Sequence, residues 1–126
     1  MAAPNIVDVS TITGITTWKA GINTEGAGVS VIVTNAASSG KVLKVNSLVA
    51  TSIGDTTGVT TKIFNVAAGV GNSVSLGSTM SVPTYSSLAV ISKEMSIYLQ
   101  ENQSIGVFKQ SNAGEIDVVC SYEDIS

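Results

Sequence analysis

The feature that most constrains this chain is a succession of short runs rich in Val, Ile and Thr, with turn clusters falling between them at intervals of about ten residues. Val29, Val31 and Val33 alternate with Ser30 and Ile32, and the turn Asn35-Ala36-Ala37-Ser38-Ser39-Gly40 follows. Residues 41–51 form the next run, with apolar residues on both faces, as in a strand that lies centrally or is covered on both sides. A turn at 53–58 leads into Val59, Thr61 and Ile63, which share one face. Residues 67–72 read as a connection carrying Gly69 and Gly71, and Val74 and Leu76 as the start of a short strand. Pro83 cannot donate to a sheet ladder, so the stretch before it ends a strand or lies at an edge. Residues 88–91, 97–99 and 104–108 are further strands. The run Ile116, Val118, Cys120 and Tyr122 has the cleanest alternation of all.

Composition supports the same conclusion. The chain of 126 residues has 17 Val and 12 Ile against 5 Leu, with 18 Ser and 13 Thr. β-branched side chains lose rotamer freedom in a helix and fit a pleated, half-buried surface. The nearest helical candidate, residues 92–101, has a weak core. The reading is an all-β, single-domain antiparallel β-sandwich of about eight short strands, jelly-roll or Ig-like. Residues 1–18 are assigned to an N-terminal arm or edge strand and 19–126 to the sandwich. Residues 19–28, with Gly21, Gly26 and Gly28, read as a loop.

The residue types that are missing narrow the function. There is no His and no Arg. The commonest general base and zinc ligand is therefore absent, as is the preferred bidentate reader of phosphate and guanine. A net charge of −3 opposes nucleic-acid binding. The single Cys120 lies in an apolar alternating run and reads as a small core residue, with no His to activate it. No segment supplies the closely spaced oxygens of a calcium site, and Gly26-Ala27-Gly28 and Gly69-Val70-Gly71 lack the rest of a phosphate loop. The expectation is a non-enzyme without cofactor or metal. Met1-Ala2-Ala3-Pro4-Asn5 has neither a basic segment nor an apolar core, which predicts no leader peptide, and no later stretch predicts a membrane span.

Charged residues make up only 12% of the chain, low for a free surface, so contact with other proteins is the expected mode of action. The candidate interface residues are Ile6, Val7, Val9, Ile12 and Trp18 in the N-terminal region, and Tyr85 in the loop Pro83-Thr84-Tyr85-Ser86-Ser87. Tyr85 and Trp18 would also serve a host-surface glycan-binding module, which needs exposed aromatic faces.

Several stretches resemble a family of small virion structural proteins of tailed bacteriophages, including those of marine cyanobacteria. They are Ser39-Gly40-Lys41-Val42 leading into Lys44-Val45-Asn46-Ser47-Leu48, then Ser81-Val82-Pro83, then Ser87-Leu88-Ala89-Val90-Ile91-Ser92-Lys93. Ile97-Tyr98-Leu99-Gln100-Glu101-Asn102-Gln103-Ser104-Ile105 and the closing Val119-Cys120-Ser121-Tyr122-Glu123-Asp124-Ile125 complete the pattern, which covers residues 39–126. The long shaft or repeat of tail-fibre relatives is missing. The resemblance implies a virion component assembled in the host cytoplasm, with other phage structural proteins as partners. The leading expectation is a decoration or cement protein on the major capsid protein. A neck, collar or tail appendage is the alternative. A homo-oligomer is expected, a trimer first, because decoration suits local three-fold points of a shell.

Overall fold

The computed structural model describes residues 11–22, 30–53, 57–67, 72–83, 85–109 and 115–126. Nine strands are found among them: β1 (Ile12–Ile22), β2 (Ser30–Asn35), β3 (Val42–Ile53), β4 (Thr57–Phe64), β5 (Ser73–Val82), β6 (Ser87–Ile91), β7 (Ile97–Leu99), β8 (Gln103–Lys109) and β9 (Glu115–Ile125). The only helical segment among the described residues is a 3-10 turn at Lys93–Met95, inside the weak helical candidate of the sequence.

The strands form two antiparallel sheets. One has the order β1-β9-β3-β6, with β7 also paired to β3, and the other has the order β2-β8-β4-β5. β1 pairs β9, β2 pairs β8, β3 pairs β6 and β7, and β4 pairs β5. That nesting is one long hairpin, with its tip between β4 and β5, rolled up so that β9 also meets β3 and β8 also meets β4. Successive strands pass from sheet to sheet everywhere except at β4–β5 and β6–β7. This is the jelly-roll solution. An Ig-like sandwich would keep several consecutive strands in one sheet, so that alternative is set aside.

The core lies between the sheets. Val45, Leu48, Ala50, Ile116, Val118 and Cys120 from the first sheet meet Val33, Val59, Ile105 and Val107 from the second, all buried. Burial of a side chain such as Leu48 or Ile105 is worth about 1.5–3 kcal/mol over leaving it in water. β3 is an interior strand, between β9 and the β6/β7 pair, and it sends Val45, Leu48 and Ala50 into the core while Val49 lies partly exposed on the outer face.

Two segments differ from the sequence reading. β1 continues through residues 19–22, which read as loop, because a bulge at Lys19–Ile22 absorbs Gly21 at φ +64° and Asp117 Oδ1 accepts its N–H at 2.8 Å. The division placed after residue 18 therefore falls inside a strand. The stretch before Pro83 is one ten-residue strand, β5, in which two register shifts against β4 accommodate Gly77 and its polar neighbours. Four strands reach ten residues or more, longer than the short strands expected. Pro83 stands just past the end of β5, an edge strand.

One end of the sandwich is tied by side chains. Asn35, at the end of β2, is buried. Its Nδ2 donates to the carbonyls of Lys41 (2.8 Å) and Leu99 (3.1 Å), its Oδ1 accepts from the Ser39 hydroxyl, and its own carbonyl accepts the Asn102 N–H at 2.8 Å. Asn102 Oδ1 accepts the Ala67 N–H at 3.0 Å, and Thr34 Oγ1 donates to the Ala67 carbonyl at 2.9 Å. Three turns are thus bound into one polar cap.

Candidate interaction surface

The outer face of the β1-containing sheet is built by strand alternation. Residues pointing into the core on β9 are Ile116, Val118 and Cys120, so Val119 and Ser121 point outward. The register places Trp18 of β1 beside Val119, Val119 beside Val49 of β3, and Val49 beside Ala89 of β6. The result is an apolar row crossing four strands. Trp18 is 69% exposed and Val119 46%, with Ala89 exposed and Val49 partly so. Small polar residues lie to one side, Thr16, Ser121 and Ser47, and Thr51 and Ser87 to the other, their hydroxyls 2.9 Å apart.

Charges on this sheet lie at both ends, with Asp117 beside Thr51 and Glu115 beside Ile53 at the end away from the polar cap, and two ion pairs toward the cap. Lys44 Nζ lies 3.9 Å from Glu123 Oε2, which also accepts from Asn46 Nδ2 at 3.2 Å. Lys41 Nζ lies 3.0 Å from Asp124 Oδ2. These pairs are partly exposed, where an ion pair contributes about 0–1 kcal/mol. The apolar row itself carries no charge.

The outer face of the second sheet differs. Ser104, Phe108, Thr60 and Phe64 point away from the core and are nevertheless buried. Part of that cover is the 65–67 segment, where the Ser104 hydroxyl donates to the Val66 carbonyl at 2.8 Å. Of the two outer faces, the one carrying Trp18 is open.

Sites for chemistry are sparse. Cys120 is fully buried, and burial pushes its thiol up to about 12, so it stays protonated and unreactive at neutral pH. Burial, and then the negative charge of Asp124, push the Tyr122 hydroxyl above its ordinary value. Asp117 accepts the Gly21 N–H, and Glu101 accepts the Gly40 N–H at 2.5 Å, so both carboxylates hold turns together. Among the described residues no group of three His, Cys, Asp or Glu side chains is arranged to hold a metal ion, and no helix is long and apolar enough to cross a membrane. Two open depressions of about 300 and 270 Å³ lie on the surface, the first beside Phe64 and Val74 and the second beside Asn35 and the Lys41–Asp124 pair.

No protein-family model and no curated protein matches the chain.

Of the interface residues chosen from sequence, Ile6, Val7 and Val9 lie outside the described residues. Ile12 is 56% exposed at the start of β1, and Trp18 stands on the same outward face six residues on. Tyr85 is 77% exposed, but it sits at the opposite end of the sandwich from Ile12, so the candidates do not form one patch. It occupies the third position of a turn closed by the Ser86 N–H and the Pro83 carbonyl at 3.0 Å, with φ +55°. A left-handed conformation is costly for a bulky residue. Val119, Val49 and Ala89 were missed by sequence reasoning. Each looks unremarkable in its own strand, and only the cross-strand register brings them together.

Proposed function

We propose that this chain is a non-enzymatic structural protein of a tailed-phage virion that decorates or cements the outer surface of the head by packing on the major capsid protein. The observation that carries the packing role is the open, uncharged row Trp18–Val119–Val49–Ala89 on one sheet face. The jelly roll agrees with it, since capsid proteins are among the common users of that architecture. The virion assignment rests on the sequence resemblance over residues 39–126.

Magnitudes favour many copies acting together. Covering the exposed part of Trp18 gains on the order of 3–4 kcal/mol. Bringing two proteins together costs about 4–15 kcal/mol, so one such row holds a copy only weakly. Joined copies that contact adjacent capsomers at once convert later contacts into intramolecular ones and hold far more strongly. A homo-oligomer that clamps neighbouring capsomers against internal pressure fits these numbers. A neck or tail appendage would use the same face.

The test is an electron-microscopy map of the intact particle with this chain located, together with its copy number. Copies spread over the head support decoration. A single small ring at the neck or tail moves the protein there, and absence from the particle overturns the virion assignment. Tyr85, exposed and held at positive φ, favours one second reading, a glycan-contacting module. Glycan-array binding lost in Tyr85→Ala would support it.

A further inference from the structure

Four strand edges close the two sheets, and three of them carry devices that discourage pairing with another chain. β2 is six residues long and broken by a register shift at Val31–Val33. β5 has two register shifts and ends at Pro83. The β6/β7 edge consists of strands of five and three residues separated by the 3-10 turn. β1 has none of these over most of its length. It keeps an unshifted register from Ile12 to Lys19 and carries neither charge nor proline from Ile12 to Trp18.

The backbone groups that β1 leaves without a partner among the described residues can be identified. Thr11 and Ser126 exchange both hydrogen bonds, Thr11 N–H to Ser126 O at 3.1 Å and Ser126 N–H to Thr11 O at 3.0 Å. In an antiparallel ladder such pairs alternate with non-bonded ones. Thr11, Thr13, Ile15, Thr17 and Lys19 therefore face β9 with their peptide groups. Ile12, Gly14, Thr16 and Trp18 turn theirs to the open edge.

We infer that the occupant of this edge is β1 of a second copy of the chain, paired antiparallel about a two-fold axis through Ile15. The sequence Ile12-Thr13-Gly14-Ile15-Thr16-Thr17-Trp18 is self-complementary in that register. Ile12 meets Trp18 of the other copy and Gly14 meets Thr16, so every free peptide group in the segment bonds. Thr13 meets Thr17, a favourable cross-strand pair, and Ile15 meets its own equivalent. Trp18 and Ile12, both exposed in the single chain, cover one another. A Cβ built on Gly14 meets nothing within 4 Å, which leaves space for the indole of the other copy as a diagonal neighbour. The two Lys19 side chains fall at opposite ends of the paired segment. The contact is isologous and closes at two copies, joining two five-stranded sheets into one. It replaces the trimer expected from shell symmetry. It does not depend on the virion assignment, because it is read on the purified chain alone.

The experiment is sedimentation of the purified full chain beside Thr16→Pro, with Ile15→Cys and Thr17→Cys oxidised under mild conditions. The wild type is expected at twice the chain mass of 12.8 kDa. Thr16→Pro removes an N–H that points to the open edge and not to β9, so it is expected to halve the sedimenting mass while keeping cooperative unfolding. At a non-bonded antiparallel pair the Cα atoms lie about 4.5 Å apart, within disulfide range. Ile15→Cys should therefore link to itself, and Thr17→Cys should not. The cross-linking arm decides the matter even if Thr16→Pro fails to fold. A monomeric wild type, a Thr16→Pro variant that folds and keeps the doubled mass, or equal cross-linking at residues 15 and 17 overturns the inference.

Discussion

Replacement of Asn35 tests whether the polar cap holds one end of the roll. Asn35→Ala removes the donor to the buried Leu99 carbonyl, the donor to the Lys41 carbonyl and the acceptor for the Ser39 hydroxyl. A buried carbonyl left without a donor costs about 1–3 kcal/mol. The Lys41 and Ser39 groups are only partly buried and recover water, so each adds about 0.5 kcal/mol. The expected loss is ~2–4 kcal/mol, read as a fall in the urea midpoint with unchanged slope. Asn35→Asp keeps the shape but aims a carboxylate oxygen at two carbonyls, and it should cost more than Ala at neutral pH. Those carbonyls raise the folded-state pKa of the new Asp above its unfolded value of about 3.9. The proton favours the folded state, so the Asp variant approaches wild type below pH ~4 and falls away as pH rises through the folded-state value. A loss under ~0.5 kcal/mol in Asn35→Ala, or an Asp variant whose deficit is the same at acid and neutral pH, refutes the reasoning.

Cys120 predicts an alkaline limb. Its thiol is raised from 9.0 to about 12 by burial, so the unfolded chain loses the proton first, and stability that is complete below pH 9 falls as pH climbs toward 12. The slope from this group is ~1.4 kcal/mol per pH unit, and urea midpoints of Cys120→Ala against wild type above and below pH 9 should show it vanish. Thr61 is fully buried and its Oγ1 has no hydrogen-bond partner among the described residues, so Thr61→Val should raise stability by about 1 kcal/mol in thermal unfolding. Trp18→Ser should alter the stability of the single chain by less than ~0.5 kcal/mol, because the ring is exposed, yet it should weaken both the β1–β1 pairing in sedimentation and docking in a particle-binding assay.

Much of the sheet was legible because alternation is a local signal. Val59, Thr61 and Ile63 share a face in the sequence and do so in β4, and the run ending at Tyr122 needed only extension to Ile125 to become β9. The continuation of β1 was not legible, because Gly21 looks like loop chemistry until Asp117, far along the chain, accepts its N–H. The same applies to Asn35. It reads as the first residue of a turn, and its role depends on Leu99 and Asn102 arriving from another strand pair. The candidate surface was half legible. Trp18 stood out by type, but its neighbours Val119 and Ala89 became visible only through register.

The rolled hairpin also has a consequence for how the chain reaches this state. β9 is the last of the nine strands to be synthesised, and it lies between β1 and β3, pairing Ile12 and Val42 with the same Ile125. Until β9 emerges, β1 and β3 cannot join and the first sheet has a central gap. The pairings are almost all between distant residues, a high contact order that places folding in the slow range of roughly milliseconds to seconds. During that interval two apolar strand edges face each other across an empty slot, and any extended segment can compete for it. Completion of the fold is therefore an act of insertion, and the speed with which β9 finds its place sets how long the nascent chain is open to misassembly.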